Sequence, residues 1–239
     1  MDALHRTSLL LGADAVAKLR GATVMVVGCG AVGSFAAEAL ARTGVGHIIL
    51  IDSDVIEESN INRQLFALQS TLGLPKVDVA AERIHDINPN IRVTPMKLFF
   101  DDTTVLDFTP DFVIDAIDSV PSKIALYKWC AMRNMPFISS MGAARKFDPT
   151  QIKIAKISKT TVCPLAAKIR KLVRAEQLPD FYVVYSTEPA APVSQSDGAR
   201  VFGSLIAVTG TFGLIAANFA INSILSRGEQ LRQHAPVHM

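Results

Sequence analysis

Short apolar runs alternate with segments of helical periodicity along the first 140 residues. The run TVMVV at 23–27 and the run HIILI at 47–51 are separated by an alanine-rich segment at 34–43, which GVG closes. Strands buried on both faces read as continuous apolar runs, and the connection between two parallel strands is usually a helix. The pattern therefore predicts a strand–helix–strand unit at the start of the chain.

The alternation continues downstream. A second helical segment begins near Pro75, which suits a first helical turn, and Asn88 and Pro89 stop it. Its apolar residues recur at helical spacing: Val77, Ala80, Ala81, Ile84 and Ile87. Further strands are predicted at 91–95, 112–117 and 136–139, with a helix at about 122–134. This alternation predicts an α/β fold, namely a Rossmann-like, doubly wound and mostly parallel sheet with helices on both faces.

The second half of the chain is less regular. Residues 151–174 contain seven Lys or Arg residues and no acidic residue. Their first part alternates apolar and polar residues like a strand, and from Pro164 onward the apolar residues follow one helical face. Residues 189–200 resemble a flexible connection. We expect residues 1–150 to form a nucleotide-binding domain and residues 151–239 to be a smaller C-terminal extension packed on it.

An uncharged segment at 201–226 is long enough to cross a bilayer. It contains three glycines, it places Asn218 and Asn222 one helical turn apart, and no aromatic belt flanks it. We therefore expect a buried helix or a helix at a subunit interface, without stable membrane insertion. Membrane association of this segment is the alternative.

Composition narrows the class of protein. The chain has 239 residues, 49% of them hydrophobic, which is enough for one sizeable core, and a net charge of +2 makes any basic surface a local one. The cysteines Cys29, Cys130 and Cys163 form no C-x-x-C pair, which excludes a four-cysteine zinc site and disfavours a disulfide framework. Residues 1–20 mix charges and predict no signal segment. We expect a cytoplasmic protein.

A glycine-rich motif follows the first predicted strand. GCGAVG places Gly28, Gly30 and Gly33 on the G-x-G-x-x-G pattern between a strand and a helix. Such glycines allow a tight turn, a close approach of backbone to phosphate, and packing of helix on strand. Asp52, at the end of the next strand, stands where an acid accepts hydrogen bonds from ribose hydroxyls. These features fit an NAD-linked dehydrogenase and an ATP-binding enzyme equally well.

Charged residues beyond the motif favour ATP. Arg63 and Lys76 can supply cations to a triphosphate, and Asp118 follows the strand at 112–117, where ligands of such folds bind. A carboxylate there can hold Mg²⁺. Each residue also has a structural interpretation: Arg63 can pair with Asp54, Lys76 can be solvated, and Asp118 can cap the next helix. All three structural roles together are less probable than one shared site.

These stretches resemble a known family. GCGAVGS, LIDSD, NINRQ, GLPKV and DAIDS occur in the order seen in the ubiquitin-activating-like adenylating enzymes, which include the ThiF, MoeB and HesA proteins. The resemblance implies that ATP binds here, with Asp118 serving Mg²⁺ and Arg6 reaching into the neighbouring subunit of a homodimer. The implied catalytic residues are Arg6, Arg63, Lys76 and Asp118. The implied cofactor-binding residues are Gly28, Gly30, Gly33, Asp52, Asp54, Asn60, Arg63, Gln64, Lys76 and Asp118.

Nearly the whole chain, to about residue 200, resembles a tRNA-modifying subgroup of this family that dehydrates N6-threonylcarbamoyladenosine. HRTSLLLG, ISSMGAARKFDPT and SKTTVCPLAAKIRK carry that resemblance. It implies adenylation of the carboxylate of the modified adenosine, followed by attack of an internal nucleophile, whose high effective molarity requires no enzyme cysteine. Cys163 is then better interpreted as a packed thiol.

The alternative is an adenylyltransferase that activates the C-terminal carboxylate of a ubiquitin-like sulfur-carrier protein, with a carrier or a cysteine desulfurase system as partner. The basic run favours tRNA over this alternative, because cationic side chains can contact phosphates without reading sequence. The candidate RNA-binding residues are Lys153, Lys156, Lys159, Lys168, Arg170, Lys171 and Arg174. A solvated amphipathic face is the structural interpretation of the same run.

Overall fold

The computed structural model describes residues 3–192, 194–196 and 199–233. The helices are α1 (His5–Leu11), α2 (Ala13–Arg20), α3 (Gly33–Thr43), α4 (Lys76–Ile87), α5 (Val120–Met132), α6 (Pro164–Ala175) and α7 (Ile206–Gln233). The strands are β1 (Thr23–Val27), β2 (His47–Asp52), β3 (Arg92–Lys97), β4 (Phe112–Asp115), β5 (Phe137–Ser140), β6 (Ile152–Lys156), β7 (Tyr182–Ser186), β8 (Ser194–Ser196) and β9 (Ala199–Val201).

Seven strands form one sheet in the order β3-β2-β1-β4-β5-β7-β6. Every neighbouring pair is parallel except β6 and β7, which are antiparallel. The chain runs from β1 outward through β2 and β3, and then returns to place β4 on the other side of β1. Because the strand order reverses there, a crevice opens beyond the carboxyl ends of β1 and β4. The predicted α/β fold with a mostly parallel sheet is confirmed.

Burial on both faces of the sheet explains why the sequences of the central strands are continuously apolar. Val24 and Val26 of β1 belong to the core beneath α3, α4 and α7, whereas Met25 and Val27 belong to the core beneath α5. Successive side chains of a strand point to opposite faces, and both faces of this sheet are covered. All four side chains are therefore buried.

Two strands beyond residue 150 extend the same sheet. The strand predicted after residue 151 is β6, and β7, which the sequence analysis missed, lies between β5 and β6. Val183 and Val184 of β7 are buried. Strands from both sides of residue 150 therefore pair in one sheet. The division of the chain into a nucleotide-binding domain and a C-terminal extension at residue 150 stays a prediction.

Helix α7 contains most of the uncharged segment. Its part Ile206–Ser226 is long and apolar enough to cross a membrane, but 56% of that part is buried inside the fold. Gly213 allows α7 to approach α3 closely, since a Cβ there would lie 2.2 Å from the Val32 carbonyl oxygen. Phe212 and Ala217 are fully buried in the core. These contacts are those of the buried helix that the sequence predicts.

Candidate functional site

A cavity of about 860 Å³ opens at the carboxyl ends of the parallel strands. Gly28 follows β1, and Asp52 ends β2. Asp118 follows β4, and Ser140 ends β5. All four residues line the cavity, so the sheet topology brings together residues that are more than a hundred positions apart in sequence.

The glycine turn at one end of the cavity is set by backbone packing. Gly28 has a φ of +94°, and a Cβ there would lie 2.6 Å from the Ala116 carbonyl oxygen. A Cβ on Gly33 would lie 1.7 Å from the Gly28 carbonyl oxygen. Gly30 differs, because its Cβ would make only an ordinary contact, 3.7 Å from the Gln64 amide nitrogen. The fold thus requires the first and third glycines, whereas the second leaves open space in the cavity wall.

Asp52 ties this turn to the end of β2. Its Oδ2 accepts a hydrogen bond from the Cys29 backbone N–H at 2.6 Å, and its Oδ1 accepts one from the Asp54 N–H at 2.9 Å. Burial raises the pKa of Asp52, and these two hydrogen bonds, together with the charge of Lys76, oppose the rise. The result is a carboxylate held in a fixed position beside the glycine turn.

Lys76 and Asp54 form an ion pair at the same end of the cavity. Lys76 Nζ lies 2.7 Å from Asp54 Oδ2, with 7% of the lysine side chain and 63% of the aspartate side chain exposed. The backbone N–H of Lys76 also donates to the Asp54 carbonyl oxygen at 3.0 Å. The interpretation of Lys76 as a solvated side chain is therefore wrong.

Arg63 is held by uncharged oxygens. Its Nη1 donates to the Ser59 carbonyl oxygen and to Asn62 Oδ1, both at 2.8 Å. Among the residues that the structure describes, no acidic side chain pairs with it, so the alternative pairing with Asp54 is not formed. Arg63 lines the cavity with an unneutralised charge, next to the buried amide of Gln64.

Asn60 and Asp118 occupy different settings. The Oδ1 of Asn60 accepts from the Glu57 backbone N–H at 3.3 Å, and within the described part of the chain Asn60 is not in the cavity wall. Its predicted contact with phosphate stays a prediction.

Asp118 is exposed and lines the cavity, and the residue preceding α5 is Ser119, without a side-chain cap. No three His, Cys, Asp or Glu residues of the described chain cluster as metal ligands, so Asp118 stands as a single carboxylate.

A buried polar cluster beside the cavity was missed by the sequence analysis. Lys123 Nζ lies 2.8 Å from Asp115 Oδ2 and donates to the Ser140 carbonyl oxygen at 2.8 Å. Tyr127 and Ser139 donate to the same carboxylate oxygen at 2.9 and 2.5 Å. Burial raises the pKa of Tyr127 well above its usual value. The available signal was Lys123, the first of two lysines in the largely apolar segment 120–130.

Segments from later parts of the chain complete the cavity wall. They contribute residues 140–146, residues 163–165, Ala190, Phe202, Ser204 and Thr209. Lys146 is buried and donates to the Glu188 carbonyl oxygen, and the Arg145 guanidinium lies 5.1 Å from the centre of the Phe202 ring. The sequence analysis assigned no role to these residues. Cys163 is a buried thiol in this wall, directly before α6.

The remaining predicted residues lie outside the cavity wall. Arg6 is exposed on α1 and, in the described part of the chain, lines no part of its own cavity. In the basic run, Lys156 lies 4.1 Å from the Tyr182 ring centre, and Arg170 donates to the Thr160 carbonyl oxygen at 2.8 Å. These two side chains therefore have structural contacts. The exposed members of the run are Lys153, Lys159, Lys168, Lys171 and Arg174.

Comparisons with known proteins agree on one family. The model of the ThiF family matches residues 4–237. The tRNA threonylcarbamoyladenosine dehydratase of Bacillus subtilis is 45% identical over 202 residues, which cover 83% of this chain and 80% of that protein. The Escherichia coli protein of the same name is 39% identical over 253 residues, covering 92% of each chain. A crystal structure of the Escherichia coli enzyme in complex with ATP superposes with a TM-score of 0.87, at 38% identity and covering 94% of each chain.

Proposed function

This chain belongs to the ThiF family, and from that membership we propose that it adenylates the carboxylate of N6-threonylcarbamoyladenosine in tRNA and then closes the cyclic form. One observation carries the proposal. A single cavity is lined by the glycine turn, by Lys76 and Arg63 and by the carboxylate of Asp118, and its wall extends to residues 140–146 and Phe202, where another molecule can bind. Its volume of about 860 Å³ lies in the upper part of the range of small-molecule sites. The names of the two bacterial relatives support the choice of substrate.

ATP is assigned to the end that contains the glycine turn. Asp52 would accept hydrogen bonds from the ribose hydroxyls, and the open wall at Gly30 leaves room for phosphate against backbone. Lys76 and Arg63 supply positive charge to the outer phosphates. Asp118 would hold Mg²⁺, because this ion binds through one or two carboxylates and the phosphates of the substrate. When bound, Mg²⁺ neutralises charge on the triphosphate.

The reaction has two steps. A carboxylate oxygen of the modified adenosine attacks the α-phosphorus of ATP, and the bond to pyrophosphate breaks, which gives an acyl-adenylate. A nucleophile of the same modification then attacks the activated carbonyl carbon, loses its proton and displaces AMP, so the carboxylate oxygen leaves on AMP. Lys76 and Arg63 stabilise the charge that develops on the leaving pyrophosphate. The second step is intramolecular and therefore needs no enzyme nucleophile.

The exposed basic residues after β5 are proposed to bind the tRNA backbone. Reversing the charge of Lys168 and Lys171 together should weaken tRNA binding and flatten its dependence on salt by about one unit of log–log slope for each lost phosphate contact. The control reverses Arg92 and Lys97, exposed on the opposite edge strand β3. Equal effects of the two double variants would contradict a tRNA surface at α6.

The predicted homodimer has support on the surface. Leu9 and Leu10 of α1 are 74% and 84% exposed, and Arg6 lies on the same helix. A second copy covering α1 would bury these leucines and would let Arg6 approach the partner's cavity. Light scattering at micromolar concentration should give the mass of a dimer. A fully active monomer would contradict this arrangement.

The deciding experiment is incubation with ATP and tRNA that carries N6-threonylcarbamoyladenosine, followed by nucleoside mass analysis. The expected result is loss of one water from that nucleoside together with release of AMP and pyrophosphate. Unchanged tRNA, with adenylation of a sulfur-carrier protein instead, would favour the alternative and its sulfur-transfer partners. Activity on tRNA would also fit the predicted cytoplasmic location.

A further inference from the structure

We propose that Phe202 and Arg145 form the platform on which the purine base of the modified nucleoside stacks. This inference rests on the proposed function, and it names the part of the cavity that receives the RNA. The Arg145 guanidinium lies 5.1 Å from the centre of the Phe202 ring, and both residues line the cavity. Phe202 is nevertheless 56% exposed. One face of the ring is thus covered by a cation, and much of the side chain remains accessible to a ligand.

The backbone holds this pair in place. Arg145 has a φ of +60°, which is uncommon for a residue with a side chain and persists where the surroundings determine it. Its N–H donates to the Gly203 carbonyl oxygen at 2.8 Å, and its carbonyl oxygen accepts from the Ala191 N–H at 2.9 Å. The guanidinium donates to the Ala191 carbonyl oxygen at 2.9 Å. Arg145 therefore connects the segments that carry Ala191 and Phe202.

The proposed substrate requires a surface on which an unstacked base can bind. An enzyme that modifies a base in RNA must take the base out of its stack, and unstacked bases are held on aromatic rings and on guanidinium planes. Arg145 makes no ion pair within the described residues, so its charge stays available to attract RNA. A purine placed here would have its N6 substituent inside the cavity that also contains the ATP end.

Asp52 has apolar neighbours of its own in the cavity wall. Leu98, Phe99 and Phe100 follow β3 and line the cavity. The backbone N–H of Leu98 donates to the Asp52 carbonyl oxygen at 3.2 Å. A ribose held by Asp52 therefore has its adenine beside these residues. The ring of Phe202 contacts Arg145 instead, and this leaves Phe202 for a second base.

The test replaces Phe202 by Ala and by Trp. Phe202→Ala should lower kcat/KM for the modified tRNA by roughly 5- to 150-fold, the range for stacking one base on an aromatic ring, chiefly through KM. The dissociation constant for ATP should be unchanged, and Phe202→Trp should restore most of the loss. Phe147→Ala is the matched control, because Phe147 is 70% exposed nearby and, among the described residues, lines no part of the cavity.

Three results would overturn the proposal. An unchanged kcat/KM for tRNA in Phe202→Ala would show that the ring carries no base. A weaker affinity for ATP would assign the ring to the adenine of ATP. A loss equal to that of Phe147→Ala would show a general surface effect. Each of these results requires a wild type that dehydrates tRNA, and each then removes the platform alone. A wild type that does not act on tRNA removes the proposed function and the platform together.

Discussion

Two lysine–aspartate pairs flank the cavity. They have nearly the same distance between nitrogen and oxygen, but they differ in exposure to water. Lys76 and Asp54 lie 2.7 Å apart with 7% and 63% of their side chains exposed, whereas Lys123 and Asp115 lie 2.8 Å apart and are fully buried. Water reaches the first carboxylate, so that pair can open at little cost. The second pair is removed from water, and an opening there would leave two charges unsolvated.

Under the proposed function, the difference separates a cation that binds phosphate from one that stabilises the fold. Asp115 also accepts hydrogen bonds from Tyr127, Ser139 and the Ile117 backbone N–H, so its pair lies in a closed network beneath the cavity floor. Lys76 lines the cavity itself and can exchange its contact with Asp54 for one with a phosphate. The proposed function thus assigns the same two residue types to binding at one position and to packing at the other.

The largest effect is expected from Lys123→Ala, which leaves the Asp115 carboxylate buried without its cation. Removing one partner of a buried pair costs about 3–5 kcal/mol in the free energy of unfolding, measured here by denaturant titration. Lys128→Ala is the control, because Lys128 lies on the same helix in a half-exposed pair with Glu176 and should cost no more than about 1 kcal/mol. Equal losses in the two variants would show that burial does not distinguish the pairs.

Lys76→Ala should act on binding more than on stability. A charge-assisted hydrogen bond contributes about 1.5–3 kcal/mol, which corresponds to a roughly 10- to 150-fold weaker affinity for ATP. AMP should be affected less, because the lost charge faces the outer phosphates. Titration calorimetry with both nucleotides checks this expectation, and equal losses for ATP and AMP would remove Lys76 from the phosphate site.

Asp54→Asn should have a smaller effect than Lys76→Ala. The variant keeps the shape of the side chain, and its loss of stability should stay within about 1 kcal/mol, because the carboxylate is mostly exposed. Affinity for ATP should fall only slightly, because the variant removes the carboxylate that fixes the position of Lys76 but keeps the lysine charge. An ATP affinity as low as that of Lys76→Ala would instead assign Asp54 a direct role in nucleotide binding.

The smallest expected effect is a pH dependence at Asp52. Burial raises its pKa in the folded chain above the value of about 3.9 usual for unfolded chains. The folded state then binds the proton more tightly, so this contribution to stability is complete below about pH 3.9 and is lost as the pH rises through the raised pKa. The unfolding free energy of the wild type should therefore fall relative to that of Asp52→Asn as the pH rises from 4 to 7. An opposite slope would mean that the hydrogen bonds to Asp52 outweigh its burial.

Local sequence was enough to predict where the glycine turn, Asp52 and Asp118 lie in the fold. Asp52 ends its strand, and the glycine turn and Asp118 follow theirs within three residues, so the strand pattern alone places them at one edge of a parallel sheet. The glycines and the lack of charge of residues 201–226 predicted a buried helix or a helix at a subunit interface, and 56% of Ile206–Ser226 is buried inside the fold. The boundaries of α5 and β5 differ by one or two residues from the predicted ones, since helix and strand ends depend on their contacts.

Tertiary structure decided which charges meet. Asp54 had two cations within reach in sequence, and the turn before α4 brings it Lys76, while Arg63 is held by the carbonyl oxygen of Ser59. The burial of Lys123 and the contact of Arg145 with Phe202 join residues from separate elements, and no periodicity within one element records such a contact. The sequence by itself determined the strands, the helices and the motif residues at their ends, because these depend on neighbours along the chain. The partners of each charge depend on how the crossovers pack, and only the folded chain settles them.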